Sequence, residues 1–144
     1  MDINDITYKI NGAIYEVNRV LGPGFLEKVY ENALLIELRE RGLKTENQVP
    51  IEVKYKGHSV GDYIADLLVE GKVIIELKTV ENISTLHEAQ LLNYLKATGV
   101  KVGLLVNFQN QKAQIKRMVL DLPEGHDSLS PVKSTDDNVC DRPR

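Results

Sequence analysis

Three ionisable residues lie in or beside apolar segments, where a charged group needs a partner. Asp66 comes directly before an apolar run, and Glu76 and Lys78 stand two positions apart in another. Residues two apart on a strand point to the same face, and a turn at Glu70-Gly71 would bring the two segments side by side. Two carboxylates would then lie within reach of one divalent cation. Such a set favours metal-assisted phosphodiester hydrolysis, in which carboxylates bind Mg²⁺ and a lysine stabilises charge on the phosphate.

The same three residues have a purely structural interpretation. A D…ExK spacing arises by chance on many strands. A cross-strand salt bridge between Lys78 and either Asp66 or Glu76 would also satisfy the charges. The spacing alone leaves both interpretations open.

Two further groups of polar side chains share helical faces. Glu27 and Tyr30 are three residues apart, and His87, Gln90 and Tyr94 stand at positions i, i+3 and i+7. Side chains at these spacings lie on one side of a helix. They are either part of a site or ordinary surface and core-edge residues. For His87 we expect a local hydrogen bond in the first helical turn rather than a ligand role.

Helical periodicity and stop signals predict three helices that position these groups. They span about residues 4–21, 26–41 and 84–99. Gly22-Pro23-Gly24 ends the first helix, and Gly42 is a left-handed cap for the second. Thr85 and Glu88 have the spacing of a capping box at the start of the third.

Alternation of apolar and polar residues predicts the strands between the helices. They include about residues 49–53, a strand through Val60 and Tyr63, and residues 66–69, 73–78, 102–106 and 113–120. Residues 66–69 are either a separate strand or the continuation of the one before. Residues 113–120 are expected at a sheet edge. The element order predicts an α/β (α+β) fold with a mixed β-sheet flanked by helices.

Composition and charge restrict the class of protein. The chain has 144 residues, of which 42% are hydrophobic and 27% charged, with a net charge of −3. These values are typical of one globular domain. Residues 1–120 carry 15 basic and 15 acidic residues, so the body is not a basic nucleic-acid-binding surface. Contact with nucleic acid would need a local patch or a metal ion.

The remaining features concern the ends of the chain and its surroundings. Residues 121–144 are rich in Pro, Ser and Asp without apolar periodicity, and are expected to be a disordered tail. Cys140 is the single cysteine, which excludes an internal disulfide and a thiolate zinc cage. An acidic start and the absence of a long apolar run predict a cytoplasmic protein with no membrane contact.

Four segments together resemble a known family. Residues 24–30 read G-x-x-E-x-x-Y, and they are followed by Ala65–Val69, Ile75–Lys78 and His87–Leu95. In this order the segments resemble those of the GxxExxY proteins, a branch of the PD-(D/E)xK nuclease-like superfamily. The resemblance covers about residues 6–120.

The resemblance implies a restriction-endonuclease-like core with an acidic site at a fork in the sheet. By that likeness Asp66 and Glu76, with the backbone carbonyl of Leu77, would bind Mg²⁺ or Mn²⁺, and Lys78 would be the catalytic lysine. Glu27 would complete the metal site or orient a water, and Gln90 would contact the site. Tyr94 would lie behind Gln90, and Tyr30 matches the signature tyrosine without an assigned role.

The implied function is a metal-dependent nuclease acting on DNA more than RNA. The alternative is a non-catalytic module that binds nucleic acid or protein on a nuclease-like scaffold. A third hypothesis, based on the small size of the body, is a subunit that needs a homodimer or a protein partner to complete its groove.

Overall fold

The computed structural model describes residues 1–121 and residues 133–134. Its helices are α1 (Ile3–Leu21), α2 (Glu27–Glu40) and α3 (Thr85–Thr98). Its strands are β1 (Thr45–Tyr55), β2 (His58–Val69), β3 (Val73–Lys78), β4 (Val102–Asn107), β5 (Gln114–Val119) and β6 (Lys133–Ser134). The predicted α/β (α+β) class with a mixed sheet and flanking helices is confirmed.

The six strands form one sheet in the order β1-β2-β3-β4-β5-β6. All neighbouring pairs are antiparallel except β3 and β4, which are parallel and are connected through α3. A parallel pair requires such a crossover connection, whereas the antiparallel pairs need only turns. The parallel pair β3 and β4 lies in the middle of the strand order, and α3 packs beside it.

The strand boundaries settle one open alternative and differ from the predicted ones in two places. Residues 66–69 continue the strand before them, because β2 pairs with β1 along almost its whole length. For the same reason β1 begins at Thr45 rather than near residue 49. The edge prediction for β5 is wrong at its end, where Met118 and Val119 pair with β6.

Helices cover both faces of the sheet. The apolar stripe of α1, which includes Ile6, Ile10 and Ile14, is fully buried with Leu34 of α2 against one face. On the other face Leu91 and Leu95 of α3 pack against the sheet. Alternate residues of β3 contribute to both cores, and this accounts for its almost continuous burial.

The first turn of α3 is capped differently from the prediction. The N-cap is Ser84, whose hydroxyl accepts a hydrogen bond from the His87 N–H while the His87 ring nitrogen accepts one from the Ser84 N–H. Thr85 is already the first helical residue, and Glu88 pairs with Lys116 at 3.0 Å. The expected local hydrogen bond of His87 is confirmed, and the Thr85–Glu88 capping box is wrong.

Two further expectations concern the C-terminal tail and membrane-spanning helices. The tail predicted for residues 121–144 lies outside the described residues, apart from Asp121 and the two residues of β6. Within the described ranges, none of the helices is both long and apolar enough to cross a bilayer.

Candidate active site at the fork of the sheet

Strands β2 and β3 pair over only three positions and then separate. The last pair is Leu67 with Ile75, so the next residues along each strand, Asp66 and Glu76, lie where the ladder opens. On the other side of β2, the ladder with β1 omits the position of Gln48, whose φ of 54° is left-handed. The β1–β2 ladder is therefore interrupted opposite Asp66, with the register unchanged on either side.

The two carboxylates replace the missing ladder hydrogen bonds. The Asp66 N–H donates to Glu76 Oε2 at 3.0 Å, and the Leu77 N–H donates to Asp66 Oδ2 at 2.8 Å. Each carboxylate is therefore held by the backbone of the opposing strand. The second oxygens, Oδ1 of Asp66 and Oε1 of Glu76, accept no hydrogen bond from the described part of the chain.

Burial makes this pair of acids electrostatically costly. Glu76 is only 6% exposed, and burial, followed by the charge of Asp66, raises its pKa from 4.5 to about 8. Burial also raises the pKa of Asp66, and the hydrogen bond from Leu77 opposes that increase. A buried acid next to a half-buried one resists carrying a second negative charge unless a cation compensates the pair.

Lys78 follows Glu76 on the same side of β3. Lys78 forms an ion pair with neither Asp66 nor Glu76, although its charge lowers the pKa of both acids. The salt-bridge interpretation of the three residues is therefore not what the structure contains. The half-buried Lys78 side chain stays available beside the acidic pair.

The backbone around Lys78 is fixed by the end of β4. The Phe108 N–H donates to the Lys78 carbonyl at 3.0 Å. The fully buried Asn107 amide accepts from the Val80 N–H at 3.1 Å and donates to the Val80 carbonyl at 2.8 Å. These contacts hold the chain that leaves β3 and thereby limit where Lys78 can reach.

The G-x-x-E-x-x-Y segment has a clear structural logic. The Tyr30 hydroxyl donates to the Gly22 carbonyl at 2.6 Å and accepts from the Phe25 N–H at 3.2 Å. Its ring stacks on Phe108 with centroids 4.4 Å apart. Gly24 has a φ of 111°, which disfavours any residue with a Cβ. Tyr30 therefore fixes the loop before α2 from within the core and takes no direct part in the acidic pair.

This fixed loop places Glu27 at the end of β3. Glu27 is the first residue of α2, and its carboxylate accepts a hydrogen bond from the Thr79 N–H at 3.2 Å. Its charge contributes to the raised pKa of both Asp66 and Glu76. Glu27 is thus beside the acidic pair, tied to the residue after Lys78.

The three α3 residues approach the pair to different extents. Tyr94 is 6% exposed, and its pKa is raised to about 12 by burial and then by the charge of Glu76. His87 has a lowered pKa because of burial and the nearby charge of Lys78. Gln90 is half-buried between them on the same helix. Of the face predicted from their spacing, Tyr94 and His87 are thus close enough to the charges of the fork for their pKa values to be affected.

Glu31 is an acidic residue near the site that the sequence reasoning missed. It is only 4% exposed, and its carboxylate accepts hydrogen bonds from Gln48 at 3.0 Å and from Lys28 at 3.4 Å. Its charge raises the pKa of Asp66. Its position four residues after Glu27, one helical turn further on, is the signal that could have identified it.

The residues at the fork are chemically suited to a hard divalent cation. The free oxygens of Asp66 and Glu76 are carboxylate ligands, and the carbonyl of Leu77 faces the same edge because its N–H does. Among residues 1–121 no three His, Cys, Asp or Glu side chains are grouped to hold a metal ion. Two carboxylates and one carbonyl are the kind of donors that suit an ion such as Mg²⁺, which keeps several waters.

Comparisons with known proteins bear on the family and on the fold. A sequence model of the PD-(D/E)XK nuclease superfamily matches residues 4–118. Among solved structures, the crystal structure of SSO0001 matches with a TM-score of 0.53 and 22% sequence identity. The match covers 67% of this chain and 51% of the SSO0001 chain, so this chain spans about half the length of that protein. No curated protein matches the chain.

Proposed function

The chain belongs to the PD-(D/E)XK nuclease superfamily, and from that premise we propose that it is a metal-dependent nuclease that hydrolyses phosphodiester bonds in nucleic acid, in DNA more than in RNA. The observation that carries the proposal is the pair formed by Asp66 and Glu76. Each carboxylate is held by the opposing strand and keeps one oxygen that accepts no hydrogen bond from the residues that the structure describes. A buried acid beside a half-buried one, without a compensating cation, is an unfavourable arrangement for stability alone.

In this proposal Asp66, Glu76 and the Leu77 carbonyl hold Mg²⁺ or Mn²⁺. When bound, the ion supplies a Lewis acid for the phosphate oxygen and lowers the pKa of a bound water. Glu27 is anchored at the end of β3 and orients the attacking water or completes the ligand set. Gln90 contacts the site from α3.

Lys78 and Tyr94 act on the phosphate. The Lys78 ammonium is not neutralised by an ion pair with the acidic pair, so it can stabilise the negative charge that develops on the phosphate. The Tyr94 hydroxyl stays protonated at neutral pH, since its pKa is raised to about 12. It can therefore donate a hydrogen bond to an anionic oxygen. Tyr30 acts only indirectly, through the loop that positions Glu27.

The direct experiment compares cleavage by matched variants. Labelled single-stranded DNA, duplex DNA and RNA are incubated with the protein and Mg²⁺ or Mn²⁺. We expect Asp66→Asn, Glu76→Gln and Lys78→Met each to lower the rate by about a hundredfold or more. The exposed residues Glu40 and Lys101 give the controls Glu40→Gln and Lys101→Met. Cleavage that persists in the three site variants would show that the assigned residues are not the catalytic ones.

A binding module is the second candidate function. The equal numbers of basic and acidic residues in residues 1–120 favour it, because tight binding along a duplex substrate needs an excess of basic residues. In that case the protein would bind nucleic acid or a partner protein with no turnover under any divalent metal. Binding that weakens with salt, without cleavage of any of the three substrates, would select this function over the first.

A further inference from the structure

A groove lies between the outer part of the β1–β2 hairpin and the C-terminal half of α3. Its volume is about 600 Å³, and its lining includes Ile51, Val53, Lys54, Tyr63, Asn93 and Lys96. We propose that this groove binds a single-stranded polynucleotide and delivers it to the fork, so that the substrate of the proposed nuclease contains unpaired bases. The inference rests on the proposed function for the place to which the strand is delivered. It rests on the lining of the groove for the type of ligand.

The groove is connected to the acidic pair through two tyrosines. The Tyr63 ring, which lines the groove, packs against the Tyr94 ring with centroids 5.6 Å apart. Tyr94 in turn is close enough to Glu76 and Asp66 for their charges to affect its ionisation. Tyr63 also lies three residues before Asp66 on β2, a separation of about 10 Å along an extended strand. A polynucleotide lying in the groove would therefore have its next phosphates near the fork.

The lining combines an aromatic surface with cations on both walls. Tyr63 is 49% exposed, so part of its ring remains open beside Tyr94. Lys54 stands on the hairpin and Lys96 on the facing helix. Glu52 is the acidic residue of the lining, and it pairs with Lys54 at 3.9 Å. Such an exposed ion pair contributes little stabilisation, so it does not hold Lys54 back from a phosphate.

These features fit unpaired bases better than a duplex. An aromatic ring stacks on the face of a base, and that face is covered by neighbouring base pairs in a double helix. A duplex binder would instead need many phosphate contacts, and the neutral charge of residues 1–120 offers few. With two lysines contacting phosphates, the slope of log Kd against log salt for a single strand would have a magnitude of only about 1.4.

The test measures binding without metal, so that it does not depend on cleavage. Fluorescence anisotropy with EDTA compares an oligothymidylate, an oligouridylate and a DNA hairpin duplex. We expect the single strands to bind at least about tenfold more tightly than the duplex, and Tyr63→Leu to weaken that binding about tenfold. Tyr63→Phe keeps the ring and retains most of the affinity. Lys54→Gln with Lys96→Gln flattens the salt dependence.

The control variant for the loss of an exposed tyrosine is on α1, outside the groove. Tyr8 is 81% exposed on α1, so Tyr8→Leu removes an exposed tyrosine outside the groove. Thermal unfolding checks that each variant is folded. Equal affinity for single strand and duplex, or unchanged binding by folded Tyr63→Leu, would overturn the inference.

Cleavage assays with the same variants separate the two proposals. If metal-dependent cleavage occurs but Tyr63→Leu leaves KM for a single strand unchanged, the groove proposal fails and the nuclease proposal stands. If no cleavage occurs but the binding pattern is as expected, the groove proposal stands and the chain is a single-strand binding module.

Discussion

Replacement of Glu76 by glutamine should stabilise the metal-free protein. The glutamine carbonyl can still accept the hydrogen bond that Glu76 Oε2 receives from the Asp66 N–H. What the substitution removes is a carboxyl group that is 6% exposed and next to a second acid. Glu76→Gln therefore tests whether the acidic pair is held at the expense of stability, as a cation site would require.

The magnitude follows from the pKa. The folded protein raises the pKa of Glu76 from 4.5 to about 8, so the native state retains a proton that the unfolded chain releases. Stability is thus highest below the unfolded pKa and falls as the pH rises towards the folded value. With about 1.4 kcal/mol for each tenfold change, the cost is below about 1 kcal/mol at about pH 5 and reaches about 4 kcal/mol at about pH 8.

The assay is urea unfolding with EDTA at a series of pH values. We expect the free energy of unfolding of Glu76→Gln to exceed that of the wild type by at least about 2 kcal/mol at about pH 8, because water entry relieves part of this cost. The two proteins should converge towards about pH 5. Glu52→Gln, which alters an exposed acid, should follow the wild type.

A divalent cation should reverse this difference in stability between the wild type and Glu76→Gln. Mn²⁺ that binds the folded acidic pair would stabilise the wild type and not Glu76→Gln. Parallel pH curves for the two proteins, or a variant that is less stable at about pH 8, would refute the reasoning. In either case Glu76 would be stabilised by its surroundings rather than held ready for a cation.

Three further predictions concern pH, the loop before α2 and the buried ion pair. Calorimetry should show that Mn²⁺ affinity rises up to about tenfold per pH unit towards about pH 8, because the metal must displace a proton from Glu76. Tyr30→Phe should lower the free energy of unfolding in urea by about 1–3 kcal/mol, because the Tyr30 hydroxyl donates to the Gly22 carbonyl and accepts a hydrogen bond from a backbone N–H. The cleavage rate should fall as well. Unchanged stability and an unchanged rate would contradict this prediction. Glu88→Gln alone should cost about 3 kcal/mol in the same assay because the buried Lys116 ammonium loses its carboxylate, and Glu88→Leu with Lys116→Met should recover much of that loss.

Periodicity predicted the helices well because each buries one regular stripe. The apolar residues of α1 recur at helical spacing, and the structure buries Ile6, Ile10, Ala13, Ile14 and Val17. The mixed sheet also followed from the order of the elements. The capping residue of α3 did not, because Ser84, Thr85, His87 and Glu88 offer two overlapping capping patterns. Only the backbone angles and the ion pair of Glu88 select Ser84.

The strand ends were harder to predict for a physical reason. The outer hairpin has exposed apolar residues, such as Val60 and Ile64, so its alternation is weak and its length cannot be read from burial. Pairing with β1 makes β2 continuous through Asp66. The left-handed Gln48 opposite Asp66 has no sequence signal, since glutamine has no preference for that conformation.

The sequence by itself determined which residue types were available: two acids and a lysine at strand spacing, and a glycine, an acid and a tyrosine at the start of a helix. It determined the helices, because side chains three and four apart must share a face. The tertiary structure decided that the acids bind each other's backbone instead of Lys78, that Tyr30 fixes a loop, and that Glu31 joins the site. These outcomes depend on where β2 and β3 separate, and separation is set by packing between distant segments rather than by local spacing.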